Sequence, residues 1–147
     1  MSELFEKVER WLIHHDMEFK QTNNSENIFH TLIKHAGPFG TPIEIFEPKK
    51  QPGILVVGAK VPMKNNQIAR YLQMNDSERK QYEEKIARFC QMIKAVHKFH
   101  EEDGKRMVGI YVVMDQKDDI NQQTLLEAID RASEMYEKTS KFLLKTF

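Results

Sequence analysis

The spacing between four strand-like segments in the first half of the chain restricts the fold more than any other feature. "MEFKQT" (17–22), "NIFHTLIKHA" (27–36), "PIEIFEP" (42–48) and "GILVVGAKV" (53–61) are each bounded by turn-forming residues. The links between them are "NNSE", "GPFGT" and "KKQP". A parallel pair needs a crossover of about a dozen residues, so links this short join antiparallel neighbours. The segments predict a meander. Pro42 opens the third strand and Pro48 closes it, positions where a missing N–H costs the ladder little. In the second strand Ile28, His30, Leu32 and Lys34 alternate with Phe29, Thr31, Ile33 and His35, so neither face is cleanly polar.

Helical periodicity occupies the rest. Leu4, Phe5, Val8, Trp11 and Leu12 recur behind Ser2, a good N-cap residue, and predict a helix over 2–14. "NNQIARYLQM" (65–74) predicts a short helix. Tyr82, Ile86, Phe89, Ile93, Val96 and His100 form one seam, which predicts a long helix from about Ser77 to Glu102 with Gly104 as its stop. "RMVGIYVVM" (106–114) reads as a fifth strand, and Leu125, Ile129, Ala132, Tyr136, Thr139 and Leu143 give a last helix over 121–146. The expected fold is α+β in a single domain over 1–147, with a five-stranded, mainly antiparallel sheet and the element order α-β-β-β-β-α-α-β-α. Its two long helices are expected on one face of the sheet, and the first helix over an edge or end.

Lys+Arg and Asp+Glu both number 22, so no global field recruits nucleic acid or an anionic membrane, and any such partner has to use a local patch. One cysteine, Cys90, forms no intramolecular disulfide, which points to the cytoplasm. "SELFEKVERW" is too charged for a secretory leader, and "GILVVGA" and "MVGIYVVM" fall short of the ~20 apolar residues that span a bilayer.

"HKFHEEDG" (97–104) sets His97 and His100 three apart, the weak metal candidates of this chain. Zinc wants three or four protein ligands, and the following acids offer the rest only awkwardly. The pair is read as the charged end of the long helix, with His100 continuing its seam, and no metal or other cofactor is expected. Cys90 with His97 as its base would span about 10.5 Å along a helix, too far for a nucleophile and its base. "DQKDD" lacks the glycine and spacing of a calcium loop. No phosphate-binding glycine loop and no G-x-S-x-G elbow occur. From Pro48 to Asn75 the chain carries Lys49, Lys50, Lys60, Lys64 and Arg70 and no acid, a candidate anion-binding stretch. The eight methionines are read mostly as core, Met92 among them.

The element order, "NDSERKQYEEKIARF" leading into the long helix, and "GIYVVMDQKDDINQQTLLEAI" as strand, acidic turn and helix resemble an uncharacterised family of small archaeal proteins. That family is similar in architecture to the type III secretion chaperones, which have an antiparallel sheet flanked by helices and commonly act as homodimers that hold segments of other proteins. The resemblance implies a chaperone-like adaptor, with a second copy of itself and another protein as partners, and it carries over no site residue. The expected function is therefore a non-enzymatic protein-interaction module. A small nucleic-acid or anion binder using the basic 49–70 region is the alternative.

Overall fold

Two helices begin at side-chain caps the sequence offers. Ser2 Oγ accepts the Phe5 N–H at 3.0 Å to start α1 (Glu3–His14). Asn75 Oδ1 accepts the Glu78 N–H at 2.9 Å to start α3 (Asp76–Met92), while Glu78 Oε1 accepts the Asn75 N–H. The computed structural model describes residues 2–146. Between and after these helices lie β1 (Phe19–Thr22), β2 (Asn27–Ala36), β3 (Thr41–Pro48), β4 (Leu55–Pro62) and α2 (Asn65–Gln73). β5 (Val96–Glu102), β6 (Lys105–Met114) and α4 (Gln122–Thr146) follow, with a short 3-10 turn at Lys117–Asp119 before α4.

The fold is α+β with four α-helices and an antiparallel sheet of six strands in the order β1-β2-β3-β4-β6-β5. This corrects the expected five strands and the expected element order. The error lies in residues 93–102. The predicted long helix stops at Met92, because Lys94 turns into the left-handed region at φ 60° and its N–H donates to Gln91 O. Ala95 N–H then donates to Cys90 O at 2.9 Å, which completes a Schellman stop. Val96 to Glu102 becomes an edge strand instead. Asp103 at φ 52° and Gly104 at φ 76° form a two-residue turn into β6. Asp-Gly between strands is the mirror-image turn that matches strand twist.

The chain divides into two compact units, Met1–Ala59 with Tyr111–Glu134, and Lys60–Ile110 with Met135–Phe147. In the first, β1, β2 and β3 pair in sequence, with Thr22 opposite His30 and His30 opposite Phe46. β3 pairs with β4, setting Glu44 against Gly58 and Ile45 against Val57. Phe29, Thr31 and Ile33 of β2 and Thr41, Ile43, Ile45 and Glu47 of β3 form the buried face. The helix α1 meets that face through the Phe5 ring, edge-on to Phe29 at 5.2 Å, with Val8 and Leu12 buried. Ser133 of α4 is fully buried on the same face, where its hydroxyl hydrogen-bonds Thr41 Oγ1 at 2.7 Å and accepts the Phe39 N–H at 3.2 Å.

In the second unit Tyr82, Ile86 and Cys90 form the buried stripe of α3, and Met135, Thr139 and Leu143 that of α4. Four-residue steps make each a single stripe. The Phe89 ring stacks on Phe142 with centroids 4.2 Å apart and planes within 2°. Among the described residues no helix is long and apolar enough to cross a membrane.

Candidate functional site

The candidate residues of the basic stretch divide between the two units. Lys49 and Lys50 follow β3 in the first unit, while Lys60, Lys64 and Arg70 belong to the second. Lys60 is already engaged, with its ammonium 2.8 Å from Glu102 Oε1, and this holds the Glu102 carboxyl below its usual range. Lys64 and Arg70 are exposed at either end of α2.

His97 and His100 stand on β5, and residues three apart on a strand point to opposite faces. The shared helix face on which a joint metal site depended does not exist. The His97 ring lies edge-on to Phe99, two residues away on its own face. His100 lines a cavity of about 30 Å³ with Tyr71, Glu83 and Arg106. That volume suits about one water, and its walls are engaged with each other. Tyr71 donates its hydroxyl to Glu83 at 2.9 Å, and its ring lies against the guanidinium carbons of Arg106 at 4.4 Å and Arg79 at 5.0 Å. Burial, and then the Glu83 carboxylate, push the Tyr71 hydroxyl up. Arg79 also donates to the Tyr71 and Leu72 carbonyls at the end of α2. The cluster fastens α2 to α3 and β6.

Among the described residues no three of His, Cys, Asp or Glu converge as metal ligands would. Cys90 is fully buried, and desolvation pushes its thiol up to about 11. A thiol so raised is protonated and inert at neutral pH. In the first unit, Thr22 Oγ1 hydrogen-bonds His30 Nδ1, and His30 Nε2 lies 3.5 Å from Glu44 Oε1. This line of hydroxyl, imidazole and carboxylate follows from the cross-strand register and was not singled out in the sequence. It lies along the rungs of the sheet with the His30 and Glu44 side chains each only 11% exposed, and with Phe46 tilted against the imidazole. Its geometry ties β1 to β2 and β3.

The arrangement best suited to engaging another molecule is a groove of about 510 Å³ on the second unit. Lys85, Arg88, Phe89 and Met92 supply one side, at spacings of three, four and seven residues along α3, which places them on one helix face. Phe142, Lys145 and Thr146 supply the other from the last turns of α4. The stacked Phe89 and Phe142 rings form an apolar floor, both half-buried. Met92 is 72% exposed, so its expected place in the core is corrected. Three exposed cations rim the groove, and among the described residues no carboxylate lines it. Periodicity places Phe89 in the core seam with Tyr82 and Ile86; those two are buried, but the stripe continues through Cys90 and leaves Phe89 half-buried beside it. The signal was present in the i, i+3, i+4, i+7 placement of Lys85, Arg88, Phe89 and Met92.

Among curated proteins none matches the chain in sequence. A crystal structure of an uncharacterised protein from Methanothermobacter thermautotrophicus, an archaeon, is similar in fold, with a TM-score of 0.73 over 97% of both chains at 11% identity. Residues 4–143 match the profile of an uncharacterised conserved protein family. The chain therefore belongs to the DUF2299 family.

Proposed function

We propose that this protein is a non-enzymatic interaction module, a chaperone-like adaptor that holds an acidic, apolar-bearing segment of another polypeptide. The observation that carries the reading is the α3–α4 groove, where Lys85, Arg88 and Lys145 surround the Phe89–Phe142 floor and no carboxylate of the described residues lines it. Such a lining is complementary to a segment that alternates acids with leucine or phenylalanine, since the rings take the apolar side chains and the rim pairs with the acids. Architecture adds support at the level of analogy, because an antiparallel sheet with flanking helices is the arrangement the type III secretion chaperones share. The neutral net charge leaves recognition to local patches such as this one.

The reading is tested by fluorescence anisotropy with a labelled acidic amphipathic peptide, alongside a labelled single-stranded RNA of similar length. The expected outcome is micromolar peptide binding that falls at least tenfold in Lys85→Glu/Arg88→Glu, both exposed positions. Absence of peptide binding, or an unchanged affinity in the charge-reversed variant, refutes it. Tighter RNA binding with a steep salt slope, lost on changing Lys49, Lys50, Lys64 and Arg70, would instead support the nucleic-acid alternative.

A further inference from the structure

We propose that the first unit holds a binding site for a small zwitterion of amino-acid size, with Glu47 taking its ammonium group and Lys117 its carboxylate. A cavity of about 230 Å³ opens beside the start of α1, the end of β3 and the turn before α4. Glu47 lies at its depth, 4% exposed. One carboxyl oxygen, Oε2, accepts the Gly53 N–H at 2.9 Å. The other, Oε1, is buried and has no hydrogen-bond partner among the described residues. A buried carboxylate oxygen is costly unless a donor meets it, so the occupant that suits this cavity brings an N–H to its floor.

The mouth has the opposite character. Glu3 and Lys7 pair with each other at 3.1 Å, and the Glu3 carboxyl is held low by Lys7 first and by Lys117 in addition. With Glu3 and Lys7 matched, Lys117 is the lining cation at the exposed end and Glu47 the lining anion at the buried end. Leu4 and Ile120 are the apolar side chains of the lining.

Four classes of occupant can be compared on this lining. A divalent cation needs several ligand oxygens and would face two ammonium groups, Lys7 and Lys117. A simple anion meets an acceptor at the floor. An apolar molecule leaves Oε1 unmet. A zwitterion with its ammonium inward matches both ends, and a short aliphatic side chain suits Leu4 and Ile120. The volume falls below that of pockets for drug-sized ligands, which fits a molecule of few heavy atoms. This site is separate in its residues from the α3–α4 groove and does not depend on that reading.

The test is thermal unfolding of the whole chain with glycine, L-alanine and L-valine, each raised to tens of millimolar. Propionate, which lacks the ammonium, and propylamine, which lacks the carboxylate, serve as controls at matched ionic strength. At least one amino acid is expected to raise Tm by roughly 3–6 °C at ten times its dissociation constant, and neither control is expected to do so. Glu47→Gln should abolish the shift. Lys117→Met, at an exposed position, should weaken it about tenfold and carries the test if the buried substitution does not fold. No shift with any amino acid, an equal shift with propionate or propylamine, or parent-like binding by Lys117→Met would overturn the proposal.

Discussion

Ser133 shows how much one small side chain holds in this protein. Its hydroxyl is the buried partner of Thr41 and of the Phe39 N–H, so Ser133→Ala leaves two groups of the β2–β3 turn without a bond. The expected loss is about 1–3 kcal/mol in urea unfolding. Gly37 in the same turn has φ 73°, and a Cβ there would lie 2.4 Å from Ser133 Cβ. Gly37→Ala should therefore cost more than Ser133→Ala. Adding Ser133→Ala should not rescue it, because the clash is with the Cβ that alanine retains. At this scale the sequence was uneven. "GPFG" announced a turn, and Ser2 announced a cap that the structure contains. Nothing local connects Gly37 to a serine on a helix far along the chain, because that contact exists only after the sheet and α4 have packed.

The element with the most to teach is the segment after α3. Its helical seam ran on through Ile93, Val96 and His100, yet the backbone turns at Lys94, a lysine in a conformation that glycine adopts freely. No glycine marks the stop, so composition gave no warning there. Asp103-Gly104 did carry a hairpin signal, and reading Gly104 as a helix stop set that signal aside. Strand pairing with β6 supplied what periodicity lacked. Lys94→Gly is expected to stabilise the protein by about 1 kcal/mol, measured as a higher urea midpoint at unchanged slope, because it removes the left-handed strain of a side-chain-bearing residue. The same mistake hid the groove. A helix assumed to run to Glu102 placed Phe89 in mid-seam, whereas a helix ending at Met92 sets Phe89 and Met92 in its last turns.

Over the whole molecule, the meander was legible because link length alone forbids the parallel alternative, and β2 and β3 run within a residue of the expected bounds. The proposed sites were less legible, since they depend on which helix face remains open and which carboxylate is buried. Burial also sets the response to pH. Cys90 is raised from 9.0 to about 11 by desolvation, and Tyr82 is raised further, again chiefly by desolvation. Both groups bind protons more tightly in the folded chain than in the unfolded one. Their contribution is complete below the unfolded values and declines as pH rises through the folded ones. Stability measured by urea unfolding is therefore expected to fall between about pH 9 and 11, by on the order of 2 kcal/mol from Cys90 alone. Cys90→Ala should flatten part of that decline.

The hairpin that replaced the predicted helix tail leaves β5 at the sheet's rim, with Val96 and Phe99 exposed. A bare rim of that kind is a template on which other chains can zip up into fibrils. Lys98, Glu101 and Glu102 interrupt it with charge, which disfavours the pairing of that edge with a further strand.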